Sequence, residues 1–215
     1  MNTQRRPLIA APRFTPLWGV LIGAVGGGVY WISAQLWPTS IAVILSMLAT
    51  NLFSARMDAG ADAGAGAPTP GRALLGMVFA VLVKYNALMA LSAASLPFAL
   101  PANFALGWIM IAGHAASRAL VVSVLAAPAY LAAPQHSTAP SHADLGIALA
   151  IGFAPAVLLG IPGLVGLVAA IAARFAVIAY LRRSRQSIAG KELDTTRQVT
   201  EMCFYLGALA ARAYA

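Results

Sequence analysis

Long apolar segments alternate with short polar ones along almost the whole chain. Six such segments are evident, at residues 16–37, 39–55, 73–96, 103–131, 145–159 and 161–181. A helix needs roughly 20 apolar residues to cross a bilayer, and helices are the usual way to satisfy backbone polar groups in lipid. The pattern therefore predicts an all-α, polytopic membrane helical bundle of about six to seven transmembrane helices. Residues 1–215 are expected to form a single integral membrane domain.

The last segment, residues 195–215, has a mixed pattern. Polar residues come first, and the apolar run CFYLGALAA follows. Such a segment is either a seventh crossing or a helix that lies in the membrane interface. The sequence pattern leaves both interpretations open.

Composition supports a bilayer environment. Of the 215 residues, 60% are hydrophobic and only 9% are charged, which is far from the balance of a soluble domain. The net charge of +8 does not indicate nucleic-acid binding, because the basic residues lie mainly at the ends of apolar segments. Cys203 is the only cysteine, which excludes an internal disulfide and a thiolate metal cluster.

The basic residues also predict how the chain is oriented. They are concentrated in the tail at residues 1–15 and in the loops at 55–72 and 182–194, whereas the loops near residues 38, 97–101 and 160–162 contain no charge. Cytoplasmic loops of membrane proteins carry an excess of lysine and arginine. We therefore expect a cytoplasmic N-terminus and cytoplasmic loops at 55–72 and 182–194.

Three glycines give the first segment a smooth face. Gly19, Gly23 and Gly27 recur at every fourth position. Small residues at this spacing let two membrane helices approach closely. We expect another helix to pack against this face.

Two of the six acidic residues lie in one short stretch, SARMDAGADAGAGAPTPGR, at residues 54–72. Asp58 and Asp62 are four positions apart, so on a continuing helix they would share one face and could together hold a hard cation such as Mg²⁺. The alternative is a soluble turn whose acids balance Arg56 and Arg72. Spacing alone favours the turn.

Several ionisable residues lie inside apolar segments, where a charge is costly and is usually kept for a partner or a pathway. Lys84 lies near the centre of its segment, and His114 and Arg118 share one helical face. Long side chains near helix ends can instead reach water, so this alternative stays open. For His114, a hydrogen bond between helices is the favoured interpretation. Glu201 is expected to pair with Lys84 or Arg118 if it is buried.

A basic cluster, RRSR, follows the sixth apolar segment and includes Arg183. The favoured interpretation is a positively charged anchor that keeps this end of the sixth segment on the cytoplasmic side. Its functional interpretation is a phosphate clamp.

Four stretches carry a resemblance to a known family. They are RFTPLWGVLIGAVGGGVYWISAQLWP, the loop DAGADAGAG with Asp58 and Asp62, HAASRAL with Arg118, and TEMCFYLGALAA with Glu201. Together with Lys84 in the third segment, they make most of the chain similar to the integral membrane cobalamin synthases, the adenosylcobinamide-GDP ribazoletransferases.

The resemblance implies an enzyme of the last steps of cobalamin biosynthesis. It would join adenosylcobinamide-GDP to α-ribazole, or to the 5′-phosphate of α-ribazole, with release of GMP and with Mg²⁺ as cofactor. The expected localisation is the bacterial inner membrane, with the lipid bilayer as a partner. A homo-oligomer and an assembly with other corrinoid enzymes are further expectations.

The resemblance also implies roles for individual residues. Asp58 and Asp62 would hold the metal, and Lys84 and Arg118 would be catalytic cations that neutralise charge on the departing GMP. The substrate-binding residues would be Arg183, Gly190 and Glu201.

The chain departs from the family pattern at two acidic positions. Ala65 occupies the place of a third acid in the first motif, and Lys191 the place of an acid in the QSIAGK stretch, where Gly190 is retained. Glu192 and Asp194 lie close by and are candidates to substitute. The alternative function is therefore a catalytically degenerate homologue that acts as a binding or assembly partner in corrinoid metabolism. A small transporter is disfavoured, because paired inverted halves are not evident.

Overall fold

The computed structural model describes residues 12–58, 70–93, 102–127, 140–183 and 190–212. In these ranges the chain forms a short 3-10 turn (Pro12–Phe14) and seven α-helices. The helices are α1 (Thr15–Leu36), α2 (Thr39–Asp58), α3 (Pro70–Ser92), α4 (Ala102–Leu125), α5 (His142–Leu158), α6 (Ile161–Arg183) and α7 (Gly190–Arg212). The predicted all-α polytopic bundle is confirmed.

Most of the helices are apolar enough to lie in a bilayer. Four stretches in the described part have the length and hydropathy of a membrane span: Pro12–Leu36, Thr39–Arg56, Phe104–Leu125 and Ile161–Leu181. Two shorter apolar stretches, Gly76–Ser92 and His142–Leu158, belong to α3 and α5. The chain is therefore a multi-pass membrane protein.

Three helices extend beyond their apolar segments. α2 continues to Asp58, α3 begins at Pro70 and α7 begins at Gly190, so parts of the predicted loops at 55–72 and 182–194 are helical. Bilayer thickness limits the apolar stretch and not the helix, and proline is well suited to a first helical position.

Two helices end before their predicted apolar segments do, and α3 ends at Ser92 rather than near residue 96. α4 ends at Leu125 rather than near residue 131. Ala127 precedes Pro128, and a residue before proline is disfavoured in the helical conformation.

The central helix is α4, and α1 packs closely along one side of it. A Cβ atom added at Gly19 would lie 2.3 Å from the carbonyl oxygen of His114, and one at Gly23 would lie 2.4 Å from the Cα of Ile111. One at Gly27 would lie 2.7 Å from the Cα of Gly107. The predicted packing face is confirmed, because any side chain at these positions would force α1 away from α4.

One face of the polar first half of α7 is buried inside the bundle. α7 packs along α6 and also contacts α3 and α4. Thr196, Thr200 and Glu201 are each at most 5% exposed. A helix lying on the membrane surface would leave such residues to water, so α7 is an integral part of the bundle.

Successive helices run in opposite directions. The last residue of α2 and the first residues of α3 and α7 therefore lie at one end of the bundle. We call this the Asp58 end. Contacts between the helices agree with this arrangement, since Ser54 near the end of α2 accepts hydrogen bonds from Arg118 of α4 and Arg197 of α7. At the same end, Arg13 lies 3.7 Å from Asp144 at the start of α5.

Candidate active site in a cavity between four helices

A cavity of about 600 Å³ lies between α2, α3, α4 and α7. This is within the range of small-molecule binding sites. Its polar lining residues are Thr50, Asn51, Ser54, Lys84, His114, Asp194, Arg197, Gln198 and Glu201. Its apolar lining residues are Met47, Leu52, Ala55, Met77, Ala80, Val81 and Met202. So many polar side chains around one apolar-walled space are unusual inside a membrane bundle and indicate a site for a polar ligand.

Three ionisable side chains form what we call the deep group: Lys84, His114 and Glu201. Lys84 Nζ lies 2.5 Å from Glu201 Oε1, and His114 Nδ1 lies 3.3 Å from Glu201 Oε2. The hydroxyl of Tyr205 donates a hydrogen bond of 3.1 Å to Glu201 Oε1. Three helices thus supply donors to one carboxylate, which compensates for its removal from water.

A second set of side chains, nearer the Asp58 end, is the outer group: Ser54, Arg118, Asp194 and Arg197. Arg118 NH2 donates a hydrogen bond of 3.0 Å to Ser54 Oγ, and Arg197 NH1 donates to the same oxygen. Arg197 also pairs with the carboxylate of Asp194. Arg118 reaches the wall of the cavity through Ser54.

The outer group gathers two guanidinium groups. It brings two guanidinium groups to one hydroxyl oxygen, with Asp194 as the acid that pairs with Arg197. Two guanidinium groups this close offer several N–H donors to one anionic ligand. Planar guanidinium groups also match the oxygen geometry of phosphate. The outer group is therefore suited to a phosphate or diphosphate.

The two groups lie at different depths of the same cavity. Asp194 and Glu201 are seven residues apart on α7, which corresponds to about 10 Å along the helix. Arg118 and His114 are four residues apart on α4, or about 6 Å. A ligand that touches both groups must therefore be elongated, with an anionic end toward the Asp58 end of the bundle.

Arg197 and Tyr205 were not among the predicted site residues. Both lie on one face of α7 with Asp194 and Glu201, at the spacing of three, four and four residues that a helix face requires. This spacing was visible in the sequence. The spacing was not used because the sequence left open whether residues 195–215 enter the bundle.

The structure places three of the predicted site residues around the cavity. Lys84 and Glu201 line it, and Arg118 touches its wall. Of the two partners expected for Glu201, the structure shows Lys84. His114 makes the contact between helices that was expected of it.

The other predicted site residues lie at the helix ends. Arg183 is the exposed last residue of α6, and Gly190 is the first residue of α7, one turn before Asp194. Asp58 is the last residue of α2, one turn beyond Ser54. The side chain of Asp58 and the whole of Asp62 lie outside the described residues.

Asp194 is the carboxylate that lines the described part of the cavity toward the Asp58 end. Among the residues whose side chains are described, no cluster of three or more His, Cys, Asp or Glu could hold a metal ion. Asp194 nevertheless presents a carboxylate at the cavity end where α2 delivers Asp58. Carboxylate and phosphate oxygens are the ligands that Mg²⁺ prefers. A magnesium ion would need further oxygen ligands, because Asp194 is paired with Arg197, and Asp58 and Asp62 stay its predicted ligands.

Comparison with known proteins assigns the chain to a family. Residues 70–209, which include the deep group and both arginines of the outer group, match the cobalamin-5-phosphate synthase family. The chain belongs to this family. The match confirms the resemblance on which the functional expectations rest.

Three relatives extend the similarity over most of the chain, and each is named adenosylcobinamide-GDP ribazoletransferase. The one from Ralstonia nicotianae is 31% identical over 89% of this chain and 81% of its own length. The one from Leptothrix cholodnii is 33% identical over 94% and 85%, and the one from Shewanella denitrificans is 32% identical over 92% and 82%. No solved structure matches the chain.

Proposed function

We propose that this protein is an adenosylcobinamide-GDP ribazoletransferase. It joins adenosylcobinamide-GDP to α-ribazole, or to its 5′-phosphate, and releases GMP. Its family membership supports the reaction, and the two guanidinium groups that meet at Ser54 are the observation that carries the proposal. A diphosphate-linked substrate needs cations beside its phosphates, and Arg118 and Arg197 supply them at the wall of a cavity of suitable size.

The reaction is a transfer at phosphorus. A hydroxyl oxygen of the ribazole attacks the phosphorus that carries the cobinamide, a new P–O bond forms, and the bond from that phosphorus to the oxygen of GMP breaks. Negative charge builds up on the departing GMP, so catalysis rests mainly on positioning and on cations near that oxygen. Arg118 was predicted as one such cation, and Arg197 joins it at Ser54.

Lys84 has a different place in this scheme. Its ammonium pairs with Glu201 in the deep group, whereas Arg118 donates to Ser54 in the outer group. We assign Lys84 and Glu201 to holding the substrate, and Arg118 and Arg197 to the phosphates. Arg183 and Gly190, at the same end of the bundle, remain predicted substrate-binding residues.

Mg²⁺ remains the proposed cofactor, with Asp58 and Asp62 as its predicted ligands. When bound, it would neutralise charge on the diphosphate. We assign to Asp194, which lines the cavity, the role of the acid that the QSIAGK stretch lacks. A loss of activity in Asp58→Ala and Asp62→Ala that excess Mg²⁺ partly restores would support this assignment, and equal activity would remove both residues from the mechanism.

We further propose that the Asp58 end faces the cytoplasm, in the bacterial inner membrane. The support is the concentration of basic residues in the loops that join helices at this end. A nucleotide-linked substrate is available on that side. A homo-oligomer and an assembly with other corrinoid enzymes stay predictions.

One assay tests the proposed reaction. The purified protein in lipid nanodiscs is mixed with adenosylcobinamide-GDP, α-ribazole 5′-phosphate and Mg²⁺, and GMP release is followed. We expect release that depends on all three. Binding of adenosylcobinamide-GDP with no GMP release would support the degenerate homologue instead.

A further inference from the structure

The wall of the cavity that α3 supplies is apolar. Met77, Ala80 and Val81 line the cavity and recur at the spacing of one helix face. Lys84 lies on the same face, one turn farther from the Asp58 end. Val78, between these residues in the sequence, is exposed and lies outside the cavity lining. We call Met77, Ala80 and Val81 the α3 wall.

The contact between Lys84 and Glu201 shows which residues of α7 lie at the depth of the α3 wall. α3 and α7 run in the same direction, since successive helices alternate, and this contact fixes one level on both helices. Met77 comes seven residues before Lys84, and Asp194 comes seven residues before Glu201. Both are therefore about 10 Å from the contact toward the Asp58 end.

The rest of the α3 wall is also level with polar side chains of α7. Ala80 comes four residues before Lys84, as Arg197 does before Glu201, and Val81 corresponds to Gln198 in the same way. All of these side chains line the one cavity. At the depth of the outer group, the cavity is therefore apolar on the α3 side and polar on the α7 side. A ligand that fits this space has an apolar part and a polar or anionic part side by side.

We propose that the α3 wall binds the dimethylbenzimidazole ring of α-ribazole. The inference rests on the proposed function and adds to it where the second substrate lies. The ring is flat, carries two methyl groups and has no N–H donor, so contact with the α3 wall removes apolar surface from water and leaves no donor without a partner. The ribose attached to the ring then faces the polar side of the cavity, toward Arg118 and Arg197.

The α3 wall distinguishes between the two aromatic bases of the reaction. Guanine has N–H donors and acceptors around its rim, and those directed into the α3 wall would lose their hydrogen bonds to water. The methyl-bearing edge of dimethylbenzimidazole has no such groups. The thioether of Met77 also packs favourably against an aromatic ring, and Ala80 has the smallest side chain of the wall and leaves room for one.

Binding of two nucleosides to the wild-type protein tests the inference without any substitution. The probes are α-ribazole and the analogue that has benzimidazole in place of dimethylbenzimidazole, each measured by equilibrium dialysis with protein in lipid nanodiscs. We expect α-ribazole to bind at least about tenfold more tightly, because each methyl group buried against an apolar wall adds to the affinity. Equal affinities would mean that the α3 wall contacts only lipid chains, and would overturn the inference.

A pair of alanine variants assigns this discrimination to the α3 wall. Ala80→Leu extends a side chain into the space of the two methyl groups, so the ratio of the analogue's dissociation constant to that of α-ribazole should fall to within about twofold of one. General damage would weaken both nucleosides alike and keep the ratio. Ala90→Leu is the matched control, because Ala90 is exposed on α3 outside the cavity lining, and it should keep the wild-type ratio. An unchanged ratio in folded Ala80→Leu would overturn the inference.

Three further outcomes separate this inference from the proposed function. GMP release together with equal binding of the two nucleosides would retain the transferase and refute the ribazole position. An Ala80→Leu protein whose KM rises for adenosylcobinamide-GDP, and not for α-ribazole, would place the guanine at the α3 wall and also refute it. Methyl-dependent binding without GMP release would support the ribazole position and refute the proposed reaction alone.

Discussion

The two sides of α4 differ in how closely other helices pack against them. On one side α1 lies against α4 with glycines at Gly19, Gly23 and Gly27, and the two backbones nearly touch. On the other side α4, α2, α3 and α7 leave a cavity that is lined by charged and polar side chains. His114 belongs to both, since its backbone meets Gly19 and its ring meets Glu201.

This contrast explains how a membrane bundle can hold an open polar site. Little hydrophobic driving force acts between helices in lipid, so close backbone packing stabilises their association. The α1–α4 contact fixes one side of α4, and the polar side chains on its other side are thereby fixed as well. The polar side chains on α4 are well positioned because α1 packs tightly against the opposite side of this helix.

The largest effect is expected from breaking the packed side. Gly19→Leu would place a side chain where the carbonyl oxygen of His114 lies 2.3 Å from the added Cβ, so α1 must move away from α4. We expect little folded protein and no GMP release. Thermal unfolding in detergent and the assay of GMP release measure this.

Gly28→Leu is the matched control for Gly19→Leu. Gly28 is on the same helix, is exposed, and has nothing within 4 Å of an added Cβ. Wild-type stability and activity are expected. Equal behaviour of the two variants would show that the α1–α4 contact does not support the site.

The next largest effect is expected in the outer group of the polar side. Arg197→Met removes one of the two cations at Ser54, and loss of one group that stabilises developing charge costs about a hundredfold or more in rate. Arg212→Met is the control, because Arg212 is at the other end of α7 and donates to the carbonyl of Leu91. We expect kcat to fall only in Arg197→Met. An equal fall in both would indicate general damage to α7.

A smaller effect is expected in the deep group. Glu201→Gln keeps the size of the side chain and removes the charge opposite Lys84. We expect KM for adenosylcobinamide-GDP to rise about tenfold, as for the loss of one hydrogen bond to a charged group, with a smaller change in kcat. Steady-state kinetics with each substrate varied in turn measure this. A fall in kcat at constant KM would instead give Glu201 a part in the chemical step.

The smallest effect is expected at Ser54. Its hydroxyl accepts from Arg118 and Arg197, and Ser54→Ala removes that shared acceptor while leaving both cations. The net value of one hydrogen bond is about 1 kcal/mol, which corresponds to a rate change of a few-fold. A loss as large as that of Arg197→Met would mean that Ser54 itself contacts the substrate.

The packed side was predictable from sequence to a greater extent than the polar side. The spacing of Gly19, Gly23 and Gly27 indicates a close contact with another helix, because the whole pattern lies within one helix. Lys84 and Glu201 were also recognisable, since a charge inside an apolar segment needs a partner.

The outer group was not predictable in the same way. Ser54 and Arg197 are 143 residues apart, and their contact depends on how α7 is inserted between α3, α4 and α6. Local spacing carries no information on that insertion. The polar start of α7 is equally typical of an interfacial helix, which is why Arg197 went unnoticed.

The central claim is that the nucleotide occupies the cavity between α2, α3, α4 and α7. Because Cys203 is the only cysteine, a Cys203→Ser background allows a single cysteine to be placed at Asn51 in the cavity lining, or at exposed His142 as a control. The measurement is the rate at which a small methanethiosulfonate reagent modifies each cysteine, with and without GDP. The account predicts that GDP slows modification of Asn51→Cys and leaves His142→Cys unchanged. Equal rates at Asn51→Cys with and without saturating GDP would contradict it.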